Sequence, residues 1–293
     1  MWLYLACLST LFIGVSTILS KIGIKHADAY VTGAITNSVL LAAFAGTALF
    51  SGAFRQISEM GWQSWLSVAA SGIILSISWV FYFLGLKGGS ISVFLAIQSL
   101  TIVVSMALCR IFIKEAITPY MVAGTALIIV GTLLMMDRQE LKALKSRDIL
   151  KSDQRWILFS ALSAVCASIS YVIVKVDTTP IDTNVTSTFR YIIVVFFLWG
   201  LLLAKRKLSE AKAIAAKTWL FILLGAAASG AGHVLVYRAL FLGKAAVIMT
   251  IYRMGMVISI ILSRFFLKEK LSPRGWLGFG LLILGVVLFA VRR

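Results

Sequence analysis

Two arginines and a histidine stand inside otherwise apolar runs: Arg190, His233 and Arg253. A charged side chain at the centre of a membrane-spanning helix costs about 2.5–3.5 kcal/mol on insertion scales. Two arginines therefore cost on the order of 5–7 kcal/mol, comparable with the stability of a whole domain. None of the 11 acidic residues is central in an apolar run. Asp28, Glu59, Asp177, Asp182 and Glu210 fall in connections, Asp137, Glu140, Asp148 and Asp153 in one polar stretch, and Glu115 and Glu269 at hairpins. The guanidiniums must be stabilised by helix-end carbonyls, by water in a cavity, or by an anionic ligand. The chemistry this suggests is recognition of a carboxylate or another anion in a wet, positively charged chamber.

Polar and aromatic neighbours extend the candidate substrate site. Tyr252 adjoins Arg253, Tyr237 lies one turn beyond His233, and Trp79, Tyr82, Gln98, Ser99 and Asn37 occupy other apolar runs. Each also has a purely structural reading. Aromatics pack or anchor, and a buried histidine bonds to backbone. Arg238, closer to a run's end, snorkels to the interface. Lys21 and Lys175 sit where interfacial anchors belong, and Glu115 and Glu269 follow a basic residue where a salt bridge or helix cap is the simple role. His233 has an ordinary pKa of ~6.5, so it is also a candidate proton carrier. No glycine loop followed by Lys-Ser/Thr is present, which excludes a nucleotide-driven pump encoded here. Two histidines and no clustered carboxylates argue against a metal site or a catalytic triad. No cofactor and no enzymatic activity are expected.

The elements that must carry these residues follow from composition. Of 293 residues 60% are hydrophobic and 13% charged, with a mean hydropathy of +0.98. Soluble domains run at roughly 45–50% apolar and ~25% charged. A polytopic membrane protein fits both departures. The net charge of +17 would suggest nucleic acid in a soluble chain. Here the basic residues fill short gaps between apolar runs, so the expected partner is the lipid bilayer and not nucleic acid. Cys7, Cys109 and Cys166 all lie in apolar runs, as packing residues without a disulfide framework. Met1-Trp2-Leu3-Tyr4 lacks a positive leader region, so the first run is expected to be a mature span.

About 20 apolar residues cross ~30 Å of hydrocarbon. Runs of that kind lie near 2–20, 31–50, 64–86, 91–113 and 119–136, then near 156–175, 183–204, 218–241, 245–266 and 273–290. A charged linker, 137–155, divides them. It also divides a repeat. A shift of 154 residues places Trp2 on Trp156, Lys21 on Lys175 and Trp65 on Trp219. It places Arg110, Phe112, Lys114, Glu115, Pro119, Gly124 and Gly131 on Arg264, Phe266, Lys268, Glu269, Pro273, Gly278 and Gly285. Five spans per copy is odd, so the second copy must enter from the opposite face. The expected fold is an all-α polytopic membrane protein, with ten transmembrane helices forming two inverted five-helix repeats (2–136 and 156–290) around a central cavity. Such inverted repeats are the architecture of secondary transporters, with substrate held between the halves near the midplane.

Each half resembles the EamA-type domain of the drug/metabolite transporter superfamily. The resemblance rests on Gly14-Val15-Ser16 with Lys21, on Arg190, on Gly88-Gly89-Ser90-Ile91-Ser92, and on the hairpins Phe112–Thr118 and Phe266–Ser272 leading to Gly124, Gly131, Gly278 and Gly285. It covers nearly the whole chain and implies ten helices around a central cavity and transport of a small metabolite, often outward. Two features depart from the pattern. Ile102 and Met256 stand where many members carry proline, so a helix break there must come from elsewhere, with Gly255 a candidate, or be absent. Thr36 or Asn37 replaces an arginine of span 2, so the two halves are expected to bind differently.

Eighteen of the 28 basic residues fall on the face opposite the termini, seven on the terminal face and three in or near spans. The positive-inside bias then points both termini outward, whereas the family resemblance favours cytoplasmic termini. The glycines spaced by seven in spans 5 and 10 give a small face for close packing, either within the bundle or in a homodimer. The expected function is secondary transport of a small anionic or zwitterionic metabolite, such as an amino acid or organic acid, in a cell membrane. A cationic drug or quaternary amine exporter is the alternative, and an intramembrane enzyme or scaffold a more remote one.

Overall fold

The computed structural model describes residues 1–114, 117–136, 140–141, 153–176, 181–242, 248, 251–252 and 254–290, with backbone only at 212, 237, 240, 241, 289 and 290. Arg253, Glu115 and most of the linker lie outside the described residues, and so does the side chain of Tyr237. Among the described residues all regular structure is helical. The long elements are α1 (Trp2–Ile24), α2 (Ala29–Phe50), α3 (Trp62–Gly88), α4 (Ile91–Phe112), α5 (Pro119–Met135), α6 (Arg155–Val176), α7 (Thr183–Ala204), α8 (Ala216–Leu242), α9 (Gly255–Phe266) and α10 (Pro273–Ala290). A 3₁₀ segment (Ala53–Glu59) and a short helix (Leu208–Lys212) fill two connections. Seven helices are long and apolar enough to cross a membrane: α1 to α4, α6, α7 and the Ala216–Val236 part of α8. The apolar α5, α9 and α10 are shorter. At 1.5 Å per residue the 17 residues of α5 cover about 26 Å, just under the ~30 Å core.

Local chemistry explains the boundaries, and it repeats. Asp28 and Asp182, 154 residues apart, each cap a helix by accepting an amide hydrogen bond, from Tyr30 at 2.8 Å and from Asn184 at 2.7 Å. Thr118 and Ser272 do the same before Pro119 and Pro273, accepting from Met121 and Gly275. Lys114 and Lys268 take left-handed φ values of 57° and 56° just after α4 and α9 end. Within helices, small polar side chains return their protons to the preceding turn: Thr17 to Ile13, Asn37 to Gly33, Ser168 to Ala164. That lets apolar spans carry buried hydroxyls without loss.

The duplication is visible in the packing. α1 packs most extensively on α8, and its counterpart α6 packs on α3; α2 meets α8 as α7 meets α3, and α9 meets α1 as α4 meets α6. Three counterpart pairs also pack on each other: α2 with α7, α4 with α9, and α5 with α10. Their direction is readable from side chains. Along α2 and α7, Asp28 pairs with Lys207, Ser38 accepts from Trp199, and Phe44 stacks on Tyr191. One index rises as the other falls. In the second seam, a Cβ on Gly131 would sit 2.6 Å from the Gly278 carbonyl, and one on Gly285 would sit 2.7 Å from that of Gly124. Equivalent helices therefore run antiparallel, backbone against backbone where only glycine fits. The seven-residue glycine spacing thus makes a contact within the bundle.

Lys25–Asp28, Lys87–Ser90, 205–215 and 267–272 lie at one end, which we term the basic face. Lys87 donates to the Ala27 carbonyl at 2.9 Å, and Glu269 accepts from Ile91 at 2.8 Å. Gln56 and Asp182 meet at the other end, where Asp182 N–H donates to Gln56 Oε1 at 2.7 Å.

Candidate functional site

The polar residues expected in the spans separate into two layers. Arg190 lies seven residues into α7 and His233 nine residues from the end of α8. Both are roughly 10–14 Å inside the terminal face at 1.5 Å per residue. Thr36 and Trp79, their repeat equivalents, occupy the matching depth inside the basic face. The upper layer is cationic and the lower is neutral.

In the cationic layer His233 is held from both sides. Its Nδ1 lies 2.8 Å from the Ser229 carbonyl. A carbonyl only accepts, so Nδ1 carries the proton. In the neutral ring Nε2 is then an acceptor, and Tyr252 Oη, 3.3 Å away, donates to it. The imidazole edge packs on Phe44, whose ring also meets Tyr191, with centroids 6.2 Å and 5.1 Å apart. Tyr252 belongs to an interrupted helix. Ile251 and Tyr252 are helical, Met254 forms a turn, and α9 restarts at Gly255. The Ile251 carbonyl at the interruption accepts from Thr10 Oγ1 of α1 at 2.8 Å. The equivalent stretch of α4 is continuous through Thr101. In the second copy α9 thus starts at Gly255 after a turn at Met254, and Gly255 packs against the Thr10 carbonyl, where a Cβ would be 3.2 Å away.

Arg190 points elsewhere. Its Nη2 donates to Ser170 Oγ at 2.8 Å, and Ser170 donates in turn to the Ser71 carbonyl at 2.8 Å. That relay ties α7 to α6 and α3. Tyr191, the next residue, reaches the Phe44–His233 cluster. Arg190 and His233 therefore flank the same α2–α7 seam from opposite sides, without a described contact between them.

The neutral layer holds the remaining candidates. Thr36 Oγ1, Asn37 Oδ1 and Trp79 Nε1 are buried without a hydrogen-bond partner. An unmade buried bond costs about 1–3 kcal/mol, so these atoms mark a strained or ligand-dependent locus. Tyr82 lies in an aromatic cluster with Trp79, Phe83 and Phe94. Gln98 donates to the Ser160 carbonyl at 3.3 Å, and Ser99 to that of Leu95 at 3.0 Å. The first bond ties α4 to α6, and the second stays within α4. Tyr171 and Arg238 are exposed on the outer surface of the bundle.

Sequence reading did not single out Ser170, Ser71 or Thr10 as partners. Serine and threonine are common in these helices, and only the packing decides which ones leave their own helix. It also paired Lys21 with Lys175, which the structure separates. Lys21 is buried and donates to the carbonyls of Leu86, Lys87 and Gly89 at the end of α3. Glu269 caps the start of α4 from the opposite copy, accepting from Ile91 and Ser92. Lys175 Nζ instead lies 3.9 Å from Cys109 Sγ.

The profile of the EamA-like transporter family matches residues 1–137 and 154–291, one match on each side of the linker. The chain belongs to the EamA-like transporter family. It is a multi-pass integral membrane protein. An uncharacterized transporter in the cobO 3' region of Sinorhizobium sp is 30% identical over 138 residues, 98% of its own length and 47% of this chain. The match thus spans nearly all of that relative's sequence and about half of this chain. An uncharacterized protein of Methanocaldococcus jannaschii, MJ1333.1, is 37% identical over 60 residues, 20% of this chain and 44% of its own. A crystal structure at 15% identity superposes on 97% of this chain and 94% of its own with a TM-score of 0.63. That likeness concerns the fold alone.

Proposed function

We propose that this EamA-like protein is a ten-span secondary transporter that moves a small carboxylate-bearing metabolite by alternating access. The substrate is anionic or zwitterionic, an amino acid or organic acid. It binds along the α2–α7 seam, with its anionic end in the cationic layer formed by Arg190, His233 and Tyr252; Arg253 is a further candidate there from sequence. Its neutral end faces Thr36, Asn37 and Trp79, donating to Asn37 Oδ1 and accepting from Trp79 Nε1. The observation that carries this reading is the antiparallel pairing of equivalent helices. Two copies related by an axis in the membrane plane interconvert between two mirror-related openings, and the seam on that axis is where the polar residues lie.

The side chains support an anionic or zwitterionic substrate. Among the described residues the carboxylates Asp28, Asp182 and Glu269 sit at helix ends, and Glu59, Glu140, Asp153 and Glu210 lie in the connections between the long helices, Glu140 buried there. A cation exporter that swaps proton for substrate needs a carboxylate inside the membrane. The test is purified protein in liposomes, with labelled amino acids, organic acids, sugar phosphates and quaternary amines. Saturable uptake of a carboxylate, lost in Arg190→Ala and Arg253→Ala, is expected. Uptake of quaternary amines alone would overturn the reading.

A further inference from the structure

One crossing of the bundle breaks its symmetry on the outside. Between α1 and α8 runs a groove of about 510 Å³ lined by Leu8, Leu11, Phe12, Val15, Leu19 and Leu224, with Ala227, Ala228 and Ala231 as its floor. Its walls face outward: Leu11 and Leu224 are 51% and 48% exposed. The equivalent crossing, α6 on α3, has Ile73, Ile74 and Ile77 where the alanines stand. Each isoleucine adds three carbons, enough to occupy the space that alanine leaves open. The alanine floor is thus particular to the second copy's α8.

Its end at the basic face is cationic. Lys217 precedes Leu224 by seven residues, two helical turns, and so shares its face of α8. Lys25 and His26 form the turn that follows α1, and these two side chains and that of Lys217 are exposed. Where His26 and Lys217 stand, the other copy has Pro180 and Gln63. The alanine floor and the Lys217 charge are thus lost together. From Lys217 to Ala231 the path is about 21 Å, past the midplane of a ~30 Å core. That is the reach of one long acyl chain anchored at the basic face. At the far end Arg238 is also exposed, alone.

We propose that the α1–α8 groove is a binding site for an anionic phospholipid, one acyl chain lying on the alanine floor and the phosphate resting among Lys25, His26 and Lys217. This proposal is independent of the transported substrate. The test is native mass spectrometry of the full chain with dioleoyl phosphatidylglycerol or dioleoyl phosphatidylcholine added in neutral detergent. Wild-type protein is expected to hold one phosphatidylglycerol in preference to phosphatidylcholine. Lys217→Gln should weaken phosphatidylglycerol by about fivefold, the contribution of one interfacial cation, and leave phosphatidylcholine unchanged. Ala227→Ile with Ala228→Ile should abolish the tight site for both lipids. If that variant misfolds, Lys25→Gln and Lys217→Gln, at exposed positions, decide alone. Equal binding of both lipids would mean annular lipid only and overturn the proposal. So would sensitivity to Arg238→Gln in place of Lys217→Gln, or a dimer whose second copy covers the groove.

Discussion

The cationic layer depends on single hydrogen bonds. Arg190 is oriented by Ser170, and Ser170 by the Ser71 carbonyl. A bond to a charged group is worth about 1.5–3 kcal/mol. Ser170→Ala should therefore lower uptake of a carboxylate about ten- to hundredfold in the liposome assay, while Ser168→Ala, two residues away, should not. Lys268 offers the opposite sign. Its left-handed φ of 56° costs a non-glycine residue roughly 1 kcal/mol. Lys268→Gly should raise thermal stability by a similar amount, seen as a higher midpoint in detergent, and an unchanged or lower midpoint would show that the lysine side chain compensates. Arg190 and His233 were recognisable in sequence because a charge in an apolar run is rare. Their partners were not, because the bonds of Ser170 and Thr10 cross between helices far apart in the chain.

Among the elements, the α3–α4 turn is the most tightly held. Lys21 takes the carbonyl end of α3 and Glu269 the amide end of α4. The Trp156 side chain covers Gly88 and Gly89, where a Cβ would come within 2.4 Å of its Cβ and its ring respectively. Removing the carboxylate leaves two helix-end amides without their acceptor. Glu269→Ala should cost about 1–2 kcal/mol, and Glu269→Gln less, because it keeps an acceptor. The glycine seam is less tolerant. Gly278→Leu drives a side chain into the Gly131 carbonyl and should abolish folded, monodisperse protein on size-exclusion chromatography. Span positions and the hairpins were legible from hydropathy and from the 154-residue shift. The start of α9 at Gly255 was only a candidate there, because the contact of Gly255 with Thr10 of α1 joins helices far apart in the chain.

For the molecule as a whole, the odd number of runs per copy already implied inversion, and the antiparallel α2–α7 and α5–α10 pairs have that geometry. What the sequence could not supply was which partners each layer brings together, since Ser170, Ser71 and Tyr252 reach Arg190 and His233 across helices. The ends of the seam are equivalent by symmetry but unlike in chemistry. At the basic face Lys207 Nζ lies 2.5 Å from Asp28 Oδ2, and at the other end a neutral bond joins Gln56 to Asp182. The hydrogen bond to Asp28 raises the Lys207 ammonium above the usual lysine range, with burial pulling the other way. A raised folded-state pKa means stabilisation that is complete below the ordinary lysine value of ~10.4 and fades as pH climbs through the folded value. The gap in melting point between wild type and Asp28→Asn should thus hold to about pH 10 and narrow above it; a constant gap would show that the ion pair is not its source. An ion pair bolting one door and an amide the other leaves the two orientations unequal in energy. In the alternating-access cycle proposed above, the empty protein then idles with a preferred orientation, and half-saturation concentrations measured from the two sides of the bilayer are expected to differ even when no gradient drives it.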